Sequence, residues 1–209
     1  MHTIGPHTSI AGGLENALVR AHELGANALG MFTKNQRQWK AKPLASEEIA
    51  LFVQTCTKLG FTADQVLVHD SYLINLANPD SQKRQQSLEA FIDELKRVEL
   101  LGLKLLNFHP GSHLNQIDAK QALRLVAESL DIALAQTDRA IAVIENTAGQ
   151  GSNLGSNFEE LAYLYEQCTY KDRVGFCIDT CHAHAAGYDL GSIEGFEQAI
   201  QRFDNLIGL

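Results

Sequence analysis

Apolar residues along this chain come in short solid runs, separated by longer stretches in which they recur every three or four positions. The solid runs are Ala28–Phe32, Val66–Val68, Leu105–Phe108, Ala142–Ile144 and Val174–Ile178, with a weaker one near Thr3–Gly5. Runs this short, bounded by turn residues, predict buried strands. Between them Leu14–Leu24, Ser46–Leu59, Gln82–Leu101, Ala119–Ala135, Phe158–Tyr165 and Ile193–Phe203 carry the period of amphipathic helices. Asp118 and Asn157 stand where side-chain N-caps belong, and Gly25, Gly60 and Gly102 follow the first three helices, as expected of residues that end helices in a left-handed turn.

The resulting βα unit repeats about six times. Strands alternating with helices at this spacing imply parallel pairing through helical crossovers. A doubly wound sheet and a TIM-type barrel both satisfy the pattern. No GxGxxG or GxxxxGK[ST] follows a strand-like run, which weakens the nucleotide-binding sheet. A complete TIM barrel has eight units in about 250 residues. The reading is therefore an α/β chain with one (β/α) barrel domain over residues 1–209, cut short after about six units with its C-terminal strands missing.

Composition bounds the partners. The 209 residues are 45% hydrophobic, enough for one sizeable core. No apolar stretch approaches the roughly 18 residues of a membrane span, and the first residues lack the basic and apolar regions of a signal peptide. Cys56, Cys168, Cys177 and Cys181 form no CxxC pair, so a reducing, cytoplasmic setting is expected. A net charge of −8 argues against a general nucleic-acid coat. It leaves room for a DNA enzyme whose carboxylates hold cations, because bound divalent ions invert the local field.

Four strand-like runs end in a metal-ligating type. Val66–Val68 is followed by His69, Leu105–Phe108 by His109, Ala142–Ile144 by Glu145, and Val174–Ile178 by Asp179, with His182 three residues further on. Positions 69, 109, 145 and 179 are spaced by about one βα unit each. Parallel barrel strands aim their C-terminal ends at one face, where barrel active sites lie. Two imidazoles and two carboxylates meeting there suit Zn²⁺ before Mn²⁺ or Fe²⁺. One strand-end histidine alone is as well explained as a capping group; four residues in phase with the repeat are not. His182 stands less securely, and His184 reads as a solvated loop residue. His7 and His113 read equally as donors supporting a ligand, as phosphate contacts, or as ordinary loop histidines.

Two loops have the make-up of polymer contacts. Thr33–Lys40 holds three cations, three amides and one aromatic in eight residues; Lys34 and Arg37 suit phosphates, and Asn35, Arg37 and the glutamines suit groove edges. Asp70–Leu76 carries Tyr72 and Leu73, side chains able to wedge into a base stack. By composition alone the first reads rather as a solvated loop and the second as an apolar plug. The loop Glu145–Ser152 is rich in glycine and amides and offers exposed N–H groups to a phosphate, or is a plain turn.

Five segments, Phe32–Trp39, His69–Leu76, Leu106–His113, Ile144–Gly151 and Cys177–Ala183, closely resemble the signatures of the endonuclease IV family. The resemblance runs from the first strand to about Leu190. It implies a monomeric, cytoplasmic TIM-barrel DNA-repair hydrolase with up to three Zn²⁺ ions, cutting duplex DNA 5′ to an abasic site to leave a 3′-hydroxyl. It implies His69, His109 and Glu145 on the first metal, Glu145 as a bridge and Asp179 on the second, His182 on the third, and Glu145 as the catalytic carboxylate. It also implies insertion of Arg37 and Tyr72 into the DNA. Family members continue through two further strands that bring four more ligands, so this chain is expected to complete the first site, half-fill the second and give one ligand to the third. Two other readings stay open. One is a divalent-metal sugar isomerase or epimerase of the xylose-isomerase type; the other is an inactive fragment that binds zinc or DNA.

Overall fold

The computed structural model describes residues 2–208. It contains five strands and seven α-helices in the order α1 (Glu15–Glu23), β1 (Leu29–Phe32), α2 (Ser46–Leu59), β2 (Val66–His69), α3 (Ser81–Leu100), β3 (Leu105–Phe108), α4 (Ala119–Leu134), β4 (Ile141–Glu145), α5 (Phe158–Gln167), β5 (Val174–Cys177), α6 (Thr180–Ala185) and α7 (Ile193–Leu206). All strand pairs are parallel and follow chain order, β1-β2-β3-β4-β5. Each crossover from β1 to β5 carries a helix, as parallel pairing requires. The architecture is a βα barrel wall, open on one side among the described residues.

Strand geometry sorts the side chains onto two faces. One set, Met31, Val66, Val68, Leu106, Phe108, Ala142 and Ile144, is wholly buried beneath the helices. The other set faces the barrel interior: Gly30, Leu67, Leu105, Ile141, Val143 and Gly175 line a cleft of about 730 Å³. Following each inward row toward the strand ends, the residues change from apolar to polar, arriving at His69, Asn107 and Glu145. The apolar half fills the barrel, and the polar half forms its mouth.

Helix ends follow local chemistry. Asp118 accepts from Gln121 N at 2.8 Å and Asn157 from Glu160 N at 2.8 Å, each satisfying a donor that the first turn leaves free. Gly25, Gly60 and Gly102 adopt positive φ, 74°, 79° and 72°. On α4, Ala122, Leu123, Val126, Ala127, Leu130, Ala133 and Leu134 are buried, the stripe that its sequence period demands.

The weak run at Thr3–Gly5 is not a strand. It lies along the free edge of β1, where Ile4 O accepts from Asn27 N and Ala28 N, and Pro6 O accepts from Gly30 N at 3.0 Å. Only His7 forms a bridge, to Gly30. Pro6 has no N–H to extend the ladder. Gly5 approaches so closely that an added Cβ would stand 1.5 Å from the Ala28 carbonyl oxygen, so only glycine fits there. A second difference is α6: His184, expected in a solvated loop, lies on this short helix together with Cys181 and His182. No helix of the described residues is long and apolar enough to cross a membrane.

Candidate metal centre

The four strand-end residues converge as the register dictates. His69 sits opposite Asn107 across the β2–β3 pair, and Glu145 opposite Cys177 across β4–β5. Ligand atoms of His69, His109 and Glu145 lie within 4.8 Å of one another, as do those of Glu145, Asp179 and His182. Glu145 belongs to both groups. Its carboxylate lies 3.5 Å from His69 Nε2, 3.4 Å from His109 Nε2 and 3.3 Å from His182 Nδ1. Two ligands bonded at about 2.0–2.2 Å to one tetrahedral ion stand about 3.3–3.6 Å apart. These side chains thus already hold the separations that zinc imposes.

Hydrogen bonds fix the ring faces. His69 Nδ1 lies 3.0 Å from the Asp70 carbonyl oxygen and 3.5 Å from its carboxylate, which leaves Nε2 facing Glu145, the arrangement that outer partners of metal-bound histidines enforce. His109 Nε2 is buried without a hydrogen-bond partner. An unmet buried nitrogen costs free energy, and a cation at this point would satisfy it. Asp179 caps α6, its Oδ1 accepting from His182 N at 2.8 Å.

Burial alone would raise the Glu145 pKa. His109 and His69 outweigh it and, with the Asn107 amide, hold the carboxyl well below the usual carboxylate range. Burial would lower the His69 pKa, yet its bonds to Asp70 and Glu145 push it up to about 10. Asp70, wholly enclosed, is pushed up to about 6 by burial. The metal-free cluster therefore holds an imidazolium against a carboxylate, and a cation would take the place of that proton.

Three further residues complete the site, and local sequence reading passes over them. Asn107 donates its amide to Glu145 Oε2; its signal was an amide inside an apolar strand. Asn146, wholly buried, accepts from Asp179 N at 2.6 Å and donates to Asp179 O at 3.2 Å. Its carbonyl lies 2.9 Å from His182 Nδ1. Asp70 supports His69 as described. Read as members of loops, Asn146 and Asp70 carried no distinguishing mark.

The other candidates divide. His7 packs tilted against Phe32 with centroids 4.8 Å apart, and Phe32 likewise against His69 at 5.6 Å; burial and then the charge of His69 lower the His7 pKa. His113 has a buried Nδ1 without a partner. His184 is exposed on α6. Tyr72 is 59% exposed at the mouth, its ring centroid 5.4 Å from that of His69 and 5.6 Å from that of Phe32, edge-on to both. Arg37 and Asn35 are exposed, and Asn35 Oδ1 accepts from Arg37 N at 2.9 Å. Lys34 departs from expectation. It is buried, with Nζ 3.0 Å from Asp93 and 3.4 Å from Glu94, so its charge is spent inside the protein. Beside the cluster, Tyr72, Asn75, His109, Thr147, Gln150 and His182 are among the residues that border a polar hollow of about 400 Å³.

Comparison with known proteins follows the same lines. Residues 18–208 match the family described as xylose isomerase-like TIM barrel. Over 208 residues the chain is 55% identical to the probable endonuclease 4 of Campylobacter curvus (strain 525.92), a match that covers 100% of this chain and 74% of that relative. The crystal structure of endonuclease IV from Thermus thermophilus superposes with a TM-score of 0.82 at 31% identity, over 99% of this chain and 73% of that one. A D-tagatose 3-epimerase-like protein superposes with a TM-score of 0.73 at 17% identity, over 99% of this chain and 74% of its own; at that identity the likeness shows the fold alone.

Proposed function

The chain belongs to the endonuclease IV family of xylose isomerase-like TIM barrels, and from that membership we propose that it hydrolyses the phosphodiester 5′ to an abasic site in duplex DNA, using zinc and leaving a 3′-hydroxyl. The observation that carries the reading is Glu145, one carboxylate shared by two ligand groups at zinc-like separations.

His69, His109 and Glu145 would hold one ion, Glu145 and Asp179 a second, and His182 a third. When bound, zinc acidifies water toward neutral pH and neutralises charge on phosphate oxygens. The chain's own residues supply the geometry. His69 and His109 fix Glu145 between them, and Glu145 orients the attacking water for in-line displacement at phosphorus. Asp179 and His182, braced by Asn146, define the far side of the cluster. Arg37 and Tyr72, both exposed, would enter the duplex where a base is missing, with Asn35 at the groove edge. Lys34 takes no part in phosphate binding in this reading, because its ammonium is paired within the fold.

Four free thiols among the described residues support a reducing compartment such as the cytoplasm. A monomer is the working state, to be checked by gel filtration. The sugar-epimerase alternative has the shared barrel in its favour and nothing in the exposed Asn35–Lys40 loop, which a small-sugar enzyme does not require.

The test is nicking of a duplex bearing one abasic-site analogue by the 209-residue chain with added Zn²⁺, before and after prolonged chelation. Chelator-sensitive incision 5′ to the lesion supports the reading. No incision, with a longer family member active in the same tube, would reject it for this chain.

A further inference from the structure

The Thr33–Lys42 loop leaves the end of β1 and exposes Asn35, Arg37, Gln38 and Lys40. A loop of this length tends toward many conformations. Yet one buried side chain of α3 touches both of its ends. Arg97, 6% exposed, donates from Nη2 to the Thr33 carbonyl at 2.8 Å and from Nε to Thr33 Oγ1 at 3.1 Å. From Nη1 it donates to the Lys42 carbonyl at 3.1 Å. The planar guanidinium spans these acceptors in a fixed fork.

The charge beneath is arranged to keep that fork in place. Glu94, 1% exposed and one helical turn before Arg97, accepts from Thr33 Oγ1 at 2.7 Å and faces Lys34 Nζ at 3.4 Å. A buried carboxylate stays in place when it is paired and hydrogen-bonded. The loop's middle is tied as well: Ser71, 2% exposed, donates its hydroxyl to the Gln36 carbonyl at 2.9 Å. Gln36 precedes Arg37, and Ser71 precedes Tyr72. The two exposed residues proposed to enter DNA are thus joined through one hydrogen bond between their neighbours, on a loop closed at its base by Arg97.

We infer that Arg97, which shares the Thr33 hydroxyl with Glu94, is a positioning residue for damage recognition: it closes the Thr33–Lys42 loop and so presents Arg37 at a fixed place beside Tyr72. The inference rests on the proposed function for what Arg37 does, but its anchoring half stands on geometry alone. A rigid wedge loses little conformational entropy on entering the duplex. A loosened one would still meet phosphates yet select lesions poorly.

The experiment uses the whole chain with Arg97→Lys, which keeps the charge opposite Glu94 and lacks the fork. Thr33→Val, which removes the hydroxyl shared by Glu94 and Arg97, serves as a second variant should the first fail to unfold cooperatively in urea. Limited trypsin digestion reads the anchoring, since within the loop Arg37 and Lys40 are exposed, Lys34 is buried and Lys42 precedes Pro43. Cleavage after Arg37 and Lys40 should accelerate severalfold. Binding to abasic and intact duplexes reads the recognition role. Preference for the abasic duplex should fall about tenfold, the loss expected from one or two hydrogen bonds, while affinity for intact duplex changes little. Under turnover the loss should fall more on KM than on kcat. Cleavage at the unaltered rate overturns the anchoring, and equal loss of affinity for both duplexes overturns the recognition role. If the unaltered chain itself shows no abasic preference, the proposed function fails and the recognition role with it, whereas the cleavage rates still decide the anchoring.

Discussion

Asn146 and Asp179 hold each other by two opposed hydrogen bonds, Asp179 N to Asn146 Oδ1 at 2.6 Å and Asn146 Nδ2 to Asp179 O at 3.2 Å. The pair fastens the segment after β5 to the end of β4, so Asp179 and His182 stay beside Glu145. Asn146→Ala removes both bonds and leaves the Asp179 N–H without its acceptor, while the Asp179 carbonyl keeps its bond from Ala183 N at 2.9 Å. It is expected to lower the unfolding free energy by about 1–3 kcal/mol and to weaken zinc binding by about 10–100-fold, read by urea unfolding and by competition with a chromogenic chelator. Unchanged zinc affinity would show that Asp179 needs no brace.

Glu145→Gln keeps the side-chain volume and removes the shared charge. Nicking should be abolished and abasic-duplex binding should remain measurable, because in the proposed function exposed loop residues rather than Glu145 meet the DNA. Gel-shift and incision assays on one preparation separate the two effects. Retained turnover would sink the role given to Glu145.

The metal-free chain should lose stability as pH rises. His69 is pushed up to about 10 when folded, against about 6.5 unfolded. Between these values the folded state binds more protons, so the stability from this group is whole below about pH 6.5 and lost on approaching pH 10. Glu145, held below the usual range, acts oppositely: its contribution is present above the ordinary carboxylate pKa and is lost as acid is added. The urea midpoint of chelated protein should drop between about pH 7 and pH 9.5, and saturating zinc should remove the drop, because a ligated imidazole has no proton left to lose. A midpoint that rises over this range would contradict the pairing of His69 with Asp70 and Glu145.

Lys34→Ala should act on stability before it acts on DNA. With the ammonium gone, Glu94 stays buried with only the more distant Arg97 charge to offset it, a loss approaching the roughly 3–5 kcal/mol of a broken buried pair, measured by urea unfolding. A residue that met phosphate would instead leave stability alone and flatten the salt dependence of DNA binding by about one unit of slope.

Much of the fold was legible because it depends on local rules. Ser46–Leu59 and Leu105–Phe108 begin and end where their patterns say, and Asp118 and Asn157 cap as read. The barrel was favoured over a doubly wound sheet because no GxGxxG or GxxxxGK[ST] follows a strand-like run. What escaped depends on distance. Thr3–Gly5 has the apolar content of a strand, but Pro6 and the close approach of Gly5 to Ala28 stop the ladder. A six-residue helix such as α6 is shorter than its own period can reveal. Lys34 looks like a solvated cation in its loop; only the arrival of Asp93 and Glu94 from α3 shows that it is not. Asn146 looks like a turn residue until β5 packs against it.

That His69, His109, Glu145 and Asp179 each stand at or just past the end of a different strand has a consequence for the life of the protein in the cell. In the unfolded chain these residues are scattered along separate βα units, so no short stretch gathers the set. A cation that prefers the gathered set binds the folded form alone and deepens its free-energy well, by about 2.7 kcal/mol at a hundredfold excess over its dissociation constant. Scarcity of zinc would then do more than idle the site: it would shift the population toward unfolded chains open to proteolysis, and the amount of the protein would follow the supply of its metal.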